Sequence, residues 1–322
     1  MRAATFIVIV YAAFLSGCGE RSARADSAVA VESARGSGRS PGCPSGEEAE
    51  LALDPVGSSS FSGERSPVGI AGRHSELLLV TDGVSAGLEV RRKDLPSRWS
   101  PVSEPINLVA AVPDGFLAAS DTVIYLLDSG TLTPRSLGRV PLRAGRIVSV
   151  AGDGQTIWAA TSTGGRAALY ATSLAKDLSW RRMDLPSAVR LQVLGRGAVA
   201  AAMMPSPHKV SVFDASLRAT AEATPPSRVG WRRAARDRVV TQGMLVLDCG
   251  RALQVTADLR SEQRFFHLYD TTRGLRLVRS RAVRQPVGFA AAFPGERLML
   301  GIVDRADGRE AVLFRWSWET SK

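Results

Sequence analysis

From about Pro67 to Trp318 the chain alternates short apolar runs with turn signals. Leu77-Leu78-Leu79-Val80 leads into Asp82-Gly83, and Val123-Ile124-Tyr125-Leu126-Leu127 leads into Asp128-Ser129-Gly130. Ile147-Val148-Ser149-Val150 leads into Gly152-Asp153-Gly154, after which Thr156-Ile157-Trp158-Ala159-Ala160-Thr161 begins. Runs of this length bounded by such turns read as strands. Asp-Gly between two of them is a hairpin signal, because a tight turn needs positive φ and glycine adopts it without steric cost. Helical character is confined to two short stretches, Ala198–Met204, stopped by Pro205, and Arg232–Arg238. The pattern predicts an all-β fold.

The strands are organised in units. Leu88-Glu89-Val90-Arg91-Arg92-Lys93-Asp94-Leu95-Pro96-Ser97 matches Leu178-Ser179-Trp180-Arg181-Arg182-Met183-Asp184-Leu185-Pro186-Ser187 at seven of ten positions, with a separation of 90. Half of that separation is about one propeller blade. First strands of such units are predicted near Pro67, Pro105, Arg146, Val189, Asp237 and Gln285, which gives about six units of three or four strands. Gln285–Gly295 opens the last unit in the same style as Leu108–Gly115.

The run Ile147–Thr161 resembles blades of the β-propellers found in bacterial sensor ectodomains, where a strand, an Asp-Gly turn and a Trp-containing strand recur. The chain lacks a WD dipeptide, a kelch pattern and an Asp-box, since Asp153 and Gly154 are adjacent. The resemblance implies several blades stacked radially, because one blade cannot bury both of its faces. A β-sandwich or two smaller β-domains are the alternative architectures.

The N-terminus has a different pattern. Met1-Arg2 is a short basic segment and Ala3–Leu15 is a mostly apolar run without charge. That run is shorter than the roughly 20 residues needed to span a bilayer, and it has the anatomy of a secretory signal. Leu15-Ser16-Gly17-Cys18 resembles the lipobox of bacterial lipoproteins. The resemblance implies a diacylglyceryl group on the Cys18 thiol, cleavage before Cys18 and acylation of the new N-terminus. Several acyl chains anchor stably where one is marginal. Gly19 stands where an Asp would mark inner-membrane retention in enterobacteria, so the outer membrane is favoured over the inner. Residues 18–66 are rich in Ser, Gly, Ala, Arg and Glu and read as a flexible tether. Within them Ala49–Leu53 is able to add a strand. The predicted division is a signal peptide over 1–17, a lipidated tether over 18–66 and a propeller-like domain over 67–322.

Composition changes this picture little. Hydrophobic residues make up 45% and charged residues 22%, which suits a globular body. The net charge is +10, almost all of it arginine, with Lys93, Lys176, Lys209 and Lys322 the only lysines. No basic run of five residues occurs, and a phosphate-binding surface needs a concentrated stripe, so nucleic acid is not an expected partner.

The motifs that suggest chemistry have simpler explanations. Gly83-Val84-Ser85-Ala86-Gly87 matches the G-x-S-x-G elbow, but strand-like alternation follows it where a helix is needed. Gly195-Arg196-Gly197-Ala198-Val199-Ala200 matches G-x-G-x-x-A, with Asp214 nineteen residues after Gly195. Pro205 and Pro207 leave too little chain for a crossover helix. Asp82, Asp114, Asp128 and Asp153 sit at turns, where Asp bonds to nearby backbone. His74, His208 and His267 show no ligand spacing, so no metal and no cofactor is expected, and no catalytic residue is assigned. The six tryptophans, Trp99, Trp158, Trp180, Trp231, Trp316 and Trp318, suit packing between blades better than a sugar groove. Arg91-Arg92 and Arg181-Arg182 suit outer strands, where charge blunts edge pairing.

Cys43 and Cys249 remain after Cys18. An oxidising envelope allows a disulfide between them, and two separate thiols are the alternative. The sequence therefore points to a membrane-anchored envelope lipoprotein whose body binds another envelope protein or a cell-surface glycan. A propeller hydrolase or lyase acting on a glycan or lactone, and an Arg-lined binder of an anionic polymer, are the competing readings.

Overall fold

A computed structural model describes residue 43 and residues 49–320, except 61–65, 74–75, 83–86, 93–94, 103–104, 129, 143–144, 165, 175–177, 206, 227–238, 259–262, 284–286 and 306–307. The described chain forms six four-stranded antiparallel sheets. Sheet 1 holds β2 (Ser66–Arg73), β3 (Glu76–Asp82), β4 (Gly87–Arg92) and β5 (Leu95–Pro101). Sheet 2 holds β6 (Leu108–Val112), β7 (Gly115–Ala119), β8 (Val123–Leu127) and β9 (Pro134–Arg139). Sheet 3 holds β10 (Arg146–Gly152), β11 (Thr156–Thr163), β12 (Arg166–Ser173) and β13 (Arg181–Leu185). Sheet 4 holds β14 (Val189–Gly195), β15 (Ala198–Met203), β16 (Val210–Asp214) and β17 (Ala219–Ala223). Sheet 5 holds β18 (Val239–Val246), β19 (Arg251–Asp258), β20 (Arg264–Asp270) and β21 (Arg276–Val283). Sheet 6 holds β22 (Val287–Phe293), β23 (Leu298–Arg305), β24 (Gly308–Thr320) and, as its outermost strand, β1 (Ala49–Ser60).

The sheets are joined in a ring. Contacts run from β2 to β6, β10, β14, β18 and β22 in turn, and β22 returns to β2. The cores lie between neighbouring sheets. Phe116, Ala118 and Leu127 of sheet 2 pack on Leu78, Val80 and Leu88 of sheet 1. Trp158 and Leu169 of sheet 3 meet Val199 and Phe213 of sheet 4. Leu253 and Phe266 of sheet 5 meet Met299, Phe314 and Trp316 of sheet 6. The ring closes where Phe293 and Ala291 lie against Gly72, with no room for a larger residue there. Second strands carry buried alanines, such as Ala118 and Ala119 on β7 and Ala200, Ala201 and Ala202 on β15. Small residues suit sheets that converge toward an axis, and Trp158 and Trp316 are the largest side chains buried fully among the described residues. This is a β-propeller.

Several expectations are corrected. Ala198–Met204 is not helical: Ala198–Met203 form β15, paired on both sides, so two ladders override a weak helical preference. Arg232–Arg238 lies outside the described residues. The tether does not extend to residue 66. Residues 49–60 form β1, paired with β24 from Ala49↔Thr320 to Ser60↔Glu310, so the folded body begins well before Pro67. Only Ala49–Leu53 alternate in the sequence, and the rest of β1 is held by its partner. The ten-residue echo is not a blade repeat. Its first copy runs from β4 into β5, whereas its second enters β13 from the preceding connection.

Candidate functional site

Each first strand runs toward a turn that leads into the second strand, so these turns share one end of the ring. Cys249 occupies such a turn, between β18 and β19, with a φ of 59°. Its sulfur is bonded to that of Cys43, with a Cα separation of 5.6 Å. The neighbouring Asp248 gathers three donors. Its Oδ1 accepts from Trp316 Nε1 at 3.1 Å and Trp318 Nε1 at 2.9 Å, and its Oδ2 accepts from Arg297 Nε at 2.6 Å. A few residues after Cys43, Glu50 accepts from Arg281 Nη1 at 2.6 Å and pairs with Arg279. Arg281 also donates to the Leu51 carbonyl. Cys43 and the start of β1 are thus fastened to two sheets at once, to sheet 5 through Cys249, Arg279 and Arg281 and to sheet 6 through β24. Neither Asp248 nor Glu50 carries a local sequence signal, because their partners are 49 or more residues away.

The end of the ring that carries Cys249, the tether end, also has a cleft of about 520 Å³ between sheets 3 and 4. Gln155, Thr156, Thr172, Ser173, Ser179 and Arg181 supply its polar lining. Arg181 is already engaged, donating to the Ala215 carbonyl at 3.1 Å. Beside it, Asp153 Oδ1 accepts from the backbone of Gln155 and Thr156, and Oδ2 accepts from the backbone of Gly197 in the next sheet. Burial opposes ionisation of Asp153, but the donors Thr156, Gly197 and Gln155 together outweigh it and hold the carboxyl below its ordinary value. The carboxylate therefore stays ionised and caps a turn.

Other carboxylates do the same work. Asp128 accepts from the backbone of Gly130 and Thr131, Asp214 from Ser216 and Arg218, and Asp270 from Thr272. These three close equivalent turns between third and fourth strands. Asp214, the apparent acidic partner of the Gly195–Ala200 motif, is thereby a turn cap. The motif itself is a hairpin turn, with Gly197 at a φ of 73° and a strand after it. In the other decoy, Gly83–Ala86 lie outside the described residues, and Gly87 opens a strand that pairs with β3. Asp82 ends β3, and Asp114 is exposed in the β6–β7 turn.

Two of the three histidines come together in a buried network between sheets 4 and 5; His74 lies outside the described residues. His208 Nδ1 lies 3.4 Å from Thr241 Oγ1, which donates to the Met203 carbonyl. Gln254 donates to the His208 carbonyl at 3.0 Å and accepts from Tyr269 OH at 2.7 Å. His267 bridges Thr256 and Ser280 at 3.1 and 2.9 Å. Burial lowers His208 to about 4, against backbone hydrogen bonds at Met204 and Met203. Burial and the nearby His208 lower His267 to about 3. Burial also pushes the Tyr269 hydroxyl far up. All three are neutral at ordinary pH, and the network is a hydrogen-bonded joint between sheets. Among the described residues no group of three His, Cys, Asp or Glu could hold a metal ion.

Trp158 and Trp316 are fully buried between sheets, Trp180 packs edge-on to Tyr170, and Trp231 lies outside the described residues. Arg91 and Arg92 lie on β4; Arg181 and Arg182 lie on the outermost strand β13, where Arg182 pairs with Asp184. Cys18 lies outside the described residues.

No protein-family model matches the chain, and no curated protein matches it. Solved structures do. A chain of a mitotic checkpoint complex aligns with a TM-score of 0.51 at 11% identity, over 89% of this chain and 99% of that one. The WD40 domain of Toxoplasma gondii coronin aligns with a TM-score of 0.49 at 11% identity, over 82% of this chain and 76% of that one. At such identity the first of these likenesses is one of fold alone, and that fold is the β-propeller.

Proposed function

We propose that the chain is an envelope lipoprotein, anchored through Cys18, whose six-bladed propeller is a non-enzymatic binding module. The observation that carries the reading is the pairing of a lipobox with a leash that the fold fastens at one end of the ring. Residues 19–42 separate Cys18 from Cys43, and Cys43 is bonded to the turn at Cys249. The tether end then faces the membrane, and the opposite end, where the first strands begin, faces away from it. The cyclic contact of six first strands supports the blade count.

A binding role suits the chemistry. Asp128, Asp153 and Asp214 are occupied in turn caps, and His208 and His267 in the neutral network between sheets 4 and 5. The partner in this reading is another envelope protein or a cell-surface glycan, met at the far end. In-cell crosslinking of a tagged copy, together with labelling by a palmitate analogue, tests it. The expected result is a labelled, membrane-associated protein with one abundant partner, with label and membrane association both lost in Cys18→Ala. An unlabelled, fully soluble wild-type chain overturns the anchor. A labelled chain without any specific partner overturns the binding role.

A further inference from the structure

The cleft of about 520 Å³ between sheets 3 and 4 lies at the tether end, away from the face proposed to meet a partner. Four pieces of chain build it: the β10–β11 turn, the end of β12, the approach to β13 and the β16–β17 turn. Contacts tie its walls together. Arg181 of sheet 3 donates through Nη1 to the Ala215 carbonyl of sheet 4 at 3.1 Å, and lies 3.5 Å from Ser216 Oγ. Arg196 of sheet 4 donates through Nε to Gln155 Oε1 of sheet 3 at 3.1 Å. Each sheet thus sends one arginine to the other, and both bonds end on residues that line the same cleft.

The lining is rich in donors and poor in negative charge. Among the described residues no carboxylate lines the cleft. Asp153, just before the lining turn of sheet 3, is committed to three backbone N–H groups, and Asp214, just before Ala215, to two. Neither Arg181 nor Arg196 forms an ion pair with a described residue, whereas the adjacent Arg182 pairs with Asp184. A guanidinium has five N–H donors in a planar fork, so Arg181 can hold the cleft wall and grip an anion at once. Gln155 turns its oxygen to Arg196, which leaves its side-chain amide as a donor. Thr156, Ser173 and Ser179 add hydroxyls. No aromatic ring is among the described lining residues, which separates the cleft from a sugar groove.

We infer that this cleft binds a phosphate ester, with Arg181 on two of the phosphate oxygens and Gln155 and Ser179 donating to the others. A guanidinium fork matches phosphate geometry, and donors on separate walls suit a group that presents oxygens in several directions. Ala171, Leu174 and Ala215 offer an apolar flank to a short carbon stem. The volume is that of a small-molecule site, too small for a folded partner. The phosphate comes from a lipid headgroup or from a soluble phosphate ester. The lipid source rests on the proposed function, in which this end faces the membrane; phosphate binding itself does not.

The test is calorimetric titration of the purified full chain in a neutral detergent at low salt. The probes are glycerol 3-phosphate, glycerophosphoglycerol (a phospholipid headgroup without its acyl chains), acetate and glycerol. The wild type is expected to bind at least one of the two phosphates at least tenfold more tightly than acetate, and glycerol not at all. Arg181→Gln is expected to lose at least tenfold in that affinity. Ser179→Tyr, which fills the cleft and keeps both arginines, is expected to lose as much and serves if Arg181→Gln does not fold. Arg182→Gln is expected to bind as the wild type does. Tighter binding of glycerophosphoglycerol identifies a lipid headgroup as the source; equal or tighter binding of glycerol 3-phosphate identifies a soluble ester. Phosphate binding no tighter than acetate binding, unchanged affinity in folded Arg181→Gln or Ser179→Tyr, or an equal loss in Arg182→Gln overturns the inference. Palmitate labelling reads the anchor separately, so loss of the anchor and loss of phosphate binding are told apart.

Discussion

Single carboxylates in this protein mainly organise turns, and their effects should differ by how many donors they satisfy. Asp153 accepts from three backbone N–H groups, two in its own turn and one in the next sheet, whereas exposed Asp114 makes no such bond. Losing an acceptor that buried donors depend on costs roughly 1–3 kcal/mol. Asp153→Ala should therefore lower the unfolding midpoint clearly in a urea melt, and Asp114→Ala should stay within about 0.5 kcal/mol of wild type. Because the folded carboxyl of Asp153 sits below 3.8, its contribution is complete above that pH and is lost as pH falls through the lower folded value. The sequence made Asp128 and Asp153 legible as turn formers because their donors are two or three residues away. It could not disclose the bond from Gly197 to Asp153, 44 residues apart, nor the three donors that converge on Asp248.

Among the elements, β1 completes sheet 6 as its outermost strand, and it was the least readable strand. Pro55, Gly57 and Ser58–Ser60 argue against a strand, yet all but the irregular Pro55/Gly57 step pair in register with β24. By contrast, β10 and β14 start at Arg146 and Val189, where turn signals and β-branched runs predicted them, and β2, β6, β18 and β22 start within three residues of the predicted positions. Local pattern located strands that begin after a sharp turn; a strand completed by a partner some 260 residues away has no local pattern to show. The structure holds β1 by Glu50 with Arg281 and by the Cys43–Cys249 bond, a sequence separation of 206. A crosslink closing so long a loop contributes at most about 5 kcal/mol by the chain-entropy estimate. Non-reducing gels should show faster migration than reducing gels, and Cys249→Ser should unfold at lower temperature. Glu50→Ala should add a further loss of about 1 kcal/mol on that background. Identical mobility with and without reductant would mean that the leash is not fastened there.

For the molecule as a whole, the joint between sheets 4 and 5 sets a pH dependence that the turn carboxylates cannot mimic. His208 and His267 are held near 4 and near 3 when folded and return to about 6.5 when unfolded. Below pH 6.5 the unfolded chain takes up protons that the folded chain refuses, so the stabilisation is complete above that pH and shrinks as pH falls toward the folded values. Between pH 7.5 and pH 5 the loss amounts to roughly 2 kcal/mol for each histidine. The turn carboxylates act lower, below about pH 4, so the two windows separate. Urea melts across this range should show stability falling steadily from pH 6.5 to pH 5 in the wild type. His208→Gln with His267→Gln should be less stable at pH 7.5 but nearly flat from there to pH 5, because no group that titrates in the window is left in the joint. A double variant that keeps the wild-type slope would place the acid sensitivity elsewhere. The sequence spacing of His208 and His267 gave no sign of this joint: they are brought together across strands as hydrogen-bond partners of Thr241, Thr256 and Ser280. Since every sheet leans on its neighbours around a closed ring, charging this one joint should unfold the propeller cooperatively, seen as coincident loss of tryptophan fluorescence and far-ultraviolet dichroism.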